Sequence, residues 1–382
     1  MVFPDFADEC QHLSLIHILD NTASFGGYSD ELGAFAYGGY LDYFKRFQSS
    51  HPVLVDRFGF STNSASFYDE LRGITEQEQG TQLVRASKTL LSSGFLGGII
   101  ADFNDSWTGE QNTFSRLNIP SKNDTLWKNV LDPSENRGVY ALDTKKPSTV
   151  GMSLKDSDRM NEMSISHDES YLYLTLLLSK EVDYDKEQLI IGFDTYQRNN
   201  GEYLYSPKYY ATSLSGMEYI LKFESKISAG LYVIPSYNTK KEQYLSKESY
   251  KGAFDFVSQL RYGVFEKDSS HFYMTGSTLH IRLPWGLLGF TDPSNRLVLN
   301  DTRTAAEIAA DRFGIQVTAT DGIIFSLLIA SKETSDTLYL FPLDKKANGY
   351  KTYKWEKWEK PSYELRAKES FAILSKYFKE TK

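Results

Sequence analysis

The chain has a single cysteine, Cys10, in 382 residues, so no intrachain disulfide can form and thiol chemistry has no support. Long apolar runs are missing as well. Nothing approaches the ~20 residues that a bilayer-spanning helix needs, and the opening MVFPDFADECQ is acidic where an export signal would be basic, so no membrane insertion or export is expected from this chain. Positive charge is not in excess: 42 Lys and Arg against 50 Asp and Glu give a net charge of -8, with the two signs interspersed. That balance excludes a polyanion such as nucleic acid as an electrostatic partner. The six histidines have no zinc spacing, no serine sits in GxSxG, and the glycine-rich GGYSDELGAFAYGGY of residues 26–40 lacks the Lys-Ser/Thr ending of a phosphate loop. What is present, 41% apolar residues and 14% aromatic ones, is a globular composition long enough for two packed cores.

Two grammars follow one another. In AYGGYLDYFKRFQSS, Tyr40, Tyr43, Phe44 and Phe47 recur at helical spacing, and PVLVDRFGF behind it is a short apolar strand. Thr75 and Glu78 form a Thr-x-x-Glu capping box for a helix through TQLVRASKTLLSS that stops at Gly94, before the strand FLGGIIADF. This is a parallel β-α-β pair, and in such folds functional groups collect at the carboxyl ends of the strands. From about residue 143 strands alternate with turns. NEMSISHDESYLYLTLLLS, QLIIGFDTY, GMEYILKFES, GLYVIPSYN, TLHIRLPW and GIIFSLLIAS predict an antiparallel sandwich of eight or more strands, with Tyr171–Leu178 buried on both faces. The C-terminal YELRAKESFAILSKYF is helical in period and is expected on the outside of that sandwich. The boundary falls in LDTKKPSTVG, residues 142–151.

The order PVLVDRFGFST, capped helix, GGIIADFNDSW and NTFSRLNIPSKNDTLWKNV resembles the last two βα units and exit segment of a bacterial (β/α)8 glycoside hydrolase-like barrel. SISHDESYLYL, IGFDT, IRLPWGLLGFTDPS and YKWEKWEKPSYELRAKESF resemble the sandwich of family 9 carbohydrate-binding modules. The resemblance implies an α+β protein in two parts: a partial TIM-barrel-like α/β segment over 1–142 and a jelly-roll-like antiparallel β-sandwich over 143–382. A whole barrel usually takes ~200 residues or more, so only its last portion fits here. The position matching the nucleophilic glutamate of such enzymes is Arg57, with Asp56 one residue before it. The resemblance therefore implies a glycoside hydrolase-like, carbohydrate-binding protein of cell-envelope or polysaccharide metabolism, extracellular or on the cell surface, without a complete catalytic centre in this chain. The alternative is a structural module docking onto another protein or onto the missing part of a barrel.

On this reading Asp102, Asp105 and Asp56 are the candidate catalytic carboxylates of a glycosidase, a reaction that uses two carboxyl groups held ~5–9.5 Å apart. Trp107, Asn104 and Arg57 at the strand ends, and Trp355 and Trp358 in GYKTYKWEKWEKPSY, are the candidate contacts to an oligo- or polysaccharide. The plain alternatives are loop caps for Asp102 and Asp105, an Asp56–Arg57 ion pair closing the sheet, and an aromatic strap in the C-terminal segment. Period-two alternation puts Asp56 and Arg57 on opposite faces unless a bulge intervenes. Trp285 reads as core. No cofactor is expected; Asp156 and Asp158, with Glu162 nearby, are the candidate ligands of a structural calcium ion.

Overall fold

A computed structural model describes residues 14–19, 29–47, 52–64, 73–107, 126–145, 147, 150–196, 200–238, 251–265, 270–300, 317–343 and 351–381. Cys10, His12 and His51 lie outside the described residues.

The first part is a parallel three-stranded sheet in sequential order, β1 (Ser14–Leu19), β2 (Val53–Gly59) and β3 (Gly97–Ile100), linked through α1 (Ala36–Phe47) and α2 (Glu76–Ser92). The Thr75–Glu78 capping box forms as the sequence predicts: Glu78 N donates to Thr75 Oγ1 at 3.1 Å and Thr75 N to the Glu78 carboxylate at 2.7 Å. Helix α1 buries Tyr37, Leu41 and Phe44, while Tyr43 stays exposed, so the buried stripe is rotated from the one drawn through Tyr40, Tyr43, Phe44 and Phe47. Both helices pack on one face of the sheet, burying Val53, Val55, Phe58, Leu83, Ala86 and Leu90. Among the described residues no sheet closes into a barrel, and the parallel segment is an open one.

The second part is β-rich. A five-stranded antiparallel sheet joins β5 (Met152–Lys155), β6 (Met160–His167), β7 (Tyr171–Leu178), β14 (Phe272–Thr275) and β15 (Thr278–Pro284), in the order β14-β15-β7-β6-β5. A six-stranded sheet joins β8 (Glu187–Asp194), β11 (Tyr219–Ser225), β12 (Ser228–Val233), β13 (Asp255–Leu260), β16 (Ile324–Ser331) and β17 (Thr337–Phe341), in the order β13-β12-β11-β8-β16-β17. The two sheets share one core in which Leu172, Leu174 and Leu176 meet Leu189, Leu221 and Phe325, with Trp285 fully enclosed. Strand β7 is not buried on both sides: Leu172 to Leu178 at even positions face the core, whereas Leu177 is 38% exposed on the outer face, as an antiparallel sheet with one solvated face requires. A small hairpin, β9 (Glu202–Leu204) with β10 (Thr212–Met217), covers part of the outer face of the six-stranded sheet over Ile190, Ile220 and Leu328.

The C-terminal segment departs from expectation. It crosses back to the first part, where β18 (Tyr363–Ala367) pairs with β4 (Tyr140–Thr144) and α3 (Glu369–Glu380) packs on α2, with Leu374 in the α/β core. Periodicity reveals an apolar stripe but not which surface it covers. The crossing is pinned by Arg366, which donates to Glu76 in the first turn of α2 at 2.6 Å and also to Asp143 of β4. Gly80 lets the helices approach: a Cβ there would stand 2.7 Å from Ile373 Cδ1 and 2.9 Å from Ser370 Cα. Gly80→Val should therefore lower stability by about 1–3 kcal/mol through overpacking, seen as a lower urea midpoint, with Ile373→Ala in the same chain recovering part of it. An unchanged midpoint would mean that α3 does not sit on α2.

Candidate functional site

The carboxyl ends of β2 and β3 hold Asp56, Arg57, Asp102, Asn104 and Asp105. Strand β2 carries a bulge there: Ile16 pairs with Val55 and the next residue, His17, with Arg57, leaving Asp56 as the extra residue. The register against β3 shifts at the same point, from Val55 opposite Gly98 to Phe58 opposite Ile100. The bulge lets both Asp56 and Arg57 stay partly exposed while Phe58 returns to the buried face. Arg57 does not close the sheet with Asp56; its Nη2 donates to Asp102 Oδ1 at 2.7 Å, each side chain about one-third exposed (34% and 33%). Asp102 thus sits on the rim but is ion-paired. Asn104 is exposed beside it and bridges to Tyr140 through the backbone.

Asp105 is not on the rim. Its side chain is wholly buried, with Oδ2 accepting from Lys128 Nζ at 2.8 Å and Oδ1 from Lys368 Nζ at 2.7 Å. Lys368 also donates to Thr62 Oγ1 at 2.8 Å and to the Asn136 carbonyl, and Lys128 to the Leu142 carbonyl. A carboxylate shared by two enclosed ammonium groups has neither the free lone pairs nor the access that proton transfer to a glycosidic oxygen requires. Trp107 is likewise buried, packed on Tyr363 with ring centroids 5.4 Å apart, and offers no platform. Both residues point inward because β18 and the segment 126–139 lie over the exit of β3, and their C-terminal partners, Tyr363 and Lys368, come more than two hundred positions later in the chain.

The aromatic C-terminal segment divides. Trp355 is 4% exposed, against Trp285 and Phe290, and donates from Nε1 to the Pro293 carbonyl; it is core. Trp358 is only partly buried. Its ring stacks on His167 at 5.8 Å and 25°, its Nε1 donates to the Leu126 carbonyl, and it lines an open cleft of about 710 Å³ with Leu126, Asn295, Lys357, Glu359 and Lys360. His167 beneath it donates to or accepts from Tyr353 OH at 2.6 Å, and burial pulls its pKa down to about 4, so the ring under Trp358 is neutral at pH 7. An indole fixed by stacking and by its N–H, beside an amide, two ammonium groups and a carboxylate, has the ingredients of a small polar-ligand site.

Of the candidate calcium ligands, Asp156 accepts through Oδ2 from Tyr339 OH at 2.6 Å and through Oδ1 from Ser157 N, and the neighbouring Glu162 Oε1 accepts from Ser153 and Ser164. Among the described residues no three His, Cys, Asp or Glu side chains converge, Asp158 included. Sequence reasoning missed Lys128, Lys368 and Asn295; Asn295 sits in a DPSN turn whose Asp292 accepts from both Ser294 and Asn295, a signal the segment FTDPSN carries. No family model matches the chain, and no curated protein is significantly similar to it.

Proposed function

We propose that this chain is a glycoside hydrolase-like, carbohydrate-binding protein of cell-envelope or polysaccharide metabolism that carries no competent hydrolytic centre of its own, and that it takes saccharide in the Trp358 cleft. The observation that carries the reading is the cleft itself: a partly exposed indole with Asn295, Lys357, Glu359 and Lys360 around it. Aromatic faces cover the apolar side of a pyranose, and amide, ammonium and carboxylate groups bond its hydroxyls. Against hydrolysis stands the fate of the carboxylates, since the reaction needs two that are free to face one bond, whereas Asp105 is enclosed and Asp102 is held by Arg57.

A second reading has its own observation. Leu96, Ile99 and Phe103 are 62%, 56% and 63% exposed at the β3 edge, where parallel sheets ordinarily are covered on both faces. That edge favours docking of another protein segment there. Retention of the purified chain on insoluble and soluble polysaccharides separates the two. We expect binding to at least one neutral polysaccharide, weakened tenfold or more in Trp358→Ala and in Glu359→Ala, the second variant leaving the indole packing intact. A wild-type chain that binds no polysaccharide overturns the carbohydrate reading and leaves the docking one.

A further inference from the structure

The outer face of the six-stranded sheet carries, at its β13 edge, a second arrangement of the same chemistry. In register, Lys222 of β11 lies opposite Gly230 of β12, and Gly230 opposite Gln259 of β13. In the adjoining row Ile220, Tyr232 and Phe256 follow one another across the same strands. A bulge at Val257 restores Phe256 and Gln259 to one face, because Leu231 pairs with Ser258 while Tyr232 pairs with Phe256. The rings of Tyr232 and Phe256 meet edge-to-face at 5.5 Å and 74°, and Phe256 is 44% exposed. Lys222 Nζ stands 4.4 Å from the Tyr232 ring centroid, and Gln259 Nε2 reaches Ser228 Oγ at 3.3 Å. Gly230 is buried beneath the rings: a Cβ there would come within 2.9 Å of Tyr232 Cε2 and 3.4 Å of Phe256 Cε2, so any side chain would push the Tyr232 ring out of its place.

We propose that this glycine-floored platform of Tyr232, Phe256, Lys222 and Gln259 is a second saccharide-binding site, for a neutral glycan lying across β11, β12 and β13. Two inter-strand spacings, ~10 Å, separate Lys222 from Gln259, which matches two consecutive sugar rings. The rings supply stacking surface, and the ammonium and amide at the two ends supply hydroxyl partners. Charge selects the ligand class. Glu224, exposed on the same strand, offsets Lys222, and the chain's net charge of -8 disfavours an acidic polymer. With the Trp358 cleft, the platform gives the sandwich two separate saccharide sites.

This inference rests on the carbohydrate reading above, and calorimetric titration of the full chain with cellohexaose, xylohexaose, maltohexaose and chitohexaose tells their failures apart. For at least one of these we expect two sites per wild-type chain, one in Phe256→Ala and in Gly230→Val, and one in Trp358→Ala. Phe256 is exposed enough that its removal should leave the thermal melt in place, and Gly230→Val retains both rings in the chain while forcing Tyr232 out of the platform. A single site retained in Trp358→Ala and lost in Phe256→Ala would keep the platform and remove the cleft. A single site insensitive to Phe256→Ala and Gly230→Val overturns the platform alone, and no binding to any of the four overturns both.

Discussion

Asp105→Ala should cost about 3–5 kcal/mol of stability, the range for removing one partner of a buried ion pair and leaving the other charged. Here two charges are stranded, Lys128 with 4% and Lys368 with 0% of its side chain exposed, so the upper end is expected. The network ties together the exit of β3, the segment around Thr62, the segment from Lys128 to Asn136, and the returning C-terminal chain, whose Lys368 N also donates to the Val139 carbonyl. The loss should therefore appear as reduced urea resistance of the α/β part together with release of α3. Replacing all three charges by apolar groups of similar size, as Asp105→Leu, Lys128→Met and Lys368→Met, should recover most of it, because desolvation of the charges is then no longer required. A change below about 0.5 kcal/mol in Asp105→Ala, the size of an ordinary surface substitution, would show that the carboxylate is not the shared partner of the two lysines.

That network also explains what could be read in advance. Local signals were legible: the Thr75–Glu78 box caps α2, the alternating leucines of β7 face the core, and the two apolar runs ending at Asp56 and Asp102 form neighbouring parallel strands. Whether a carboxylate at a strand end faces solvent or a buried cation depends on partners distant in sequence. Asp105 and Lys368 are 263 positions apart, and nothing near either one announces the other. The same holds for α3, whose apolar stripe would fit a sandwich or a helix equally well and is decided by Gly80 and by the Arg366 fork on Glu76 and Asp143. Within the aromatic segment, Trp355 and Trp358 are three residues apart, and only the surface beneath them sorts core from cleft wall. The bulge at Asp56 is a backbone event, foreseeable as an option but not as a fact.

Acidification from pH 6 to 4 should weaken the fold by about 1.4 kcal/mol per pH unit or more, since at least one net proton is taken up on unfolding. Three histidines drive the loss; in one of them, His280, burial lowers the ring's pKa. His167, buried among Trp285, Trp355 and Trp358, is pulled from 6.5 to about 4, and His271, enclosed and facing Arg261 and Arg282, to about 3. His271 Nδ1 accepts from Arg261 N at 3.0 Å, a bond only the neutral ring makes. Groups with depressed folded values contribute stability above pH 6.5 and lose it as the pH falls toward those values, since the unfolded chain takes the protons first. Asp168 opposes them. Burial raises its carboxyl from 3.8 to about 6 despite hydrogen bonds from Tyr173, Ser170 and Tyr171, so between those values the folded state holds a proton that the unfolded state does not. His167 and His271 favour unfolding by two protons and Asp168 favours folding by one, which leaves a net slope of at least one, to which His280 adds. Asp30, held down chiefly by Arg85, and Glu162, held down by Ser153 and Ser164, add to the loss only from their ordinary values of 3.8 and 4.5 downward. Urea midpoints measured between pH 6 and 4.5 test the count in both directions. His167→Gln removes one uptake group and should flatten the slope by about 1.4 kcal/mol per pH unit, whereas Asp168→Asn removes the opposing proton and should steepen it by about the same amount. A wild-type slope that neither substitution changes would place the acid sensitivity elsewhere in the chain.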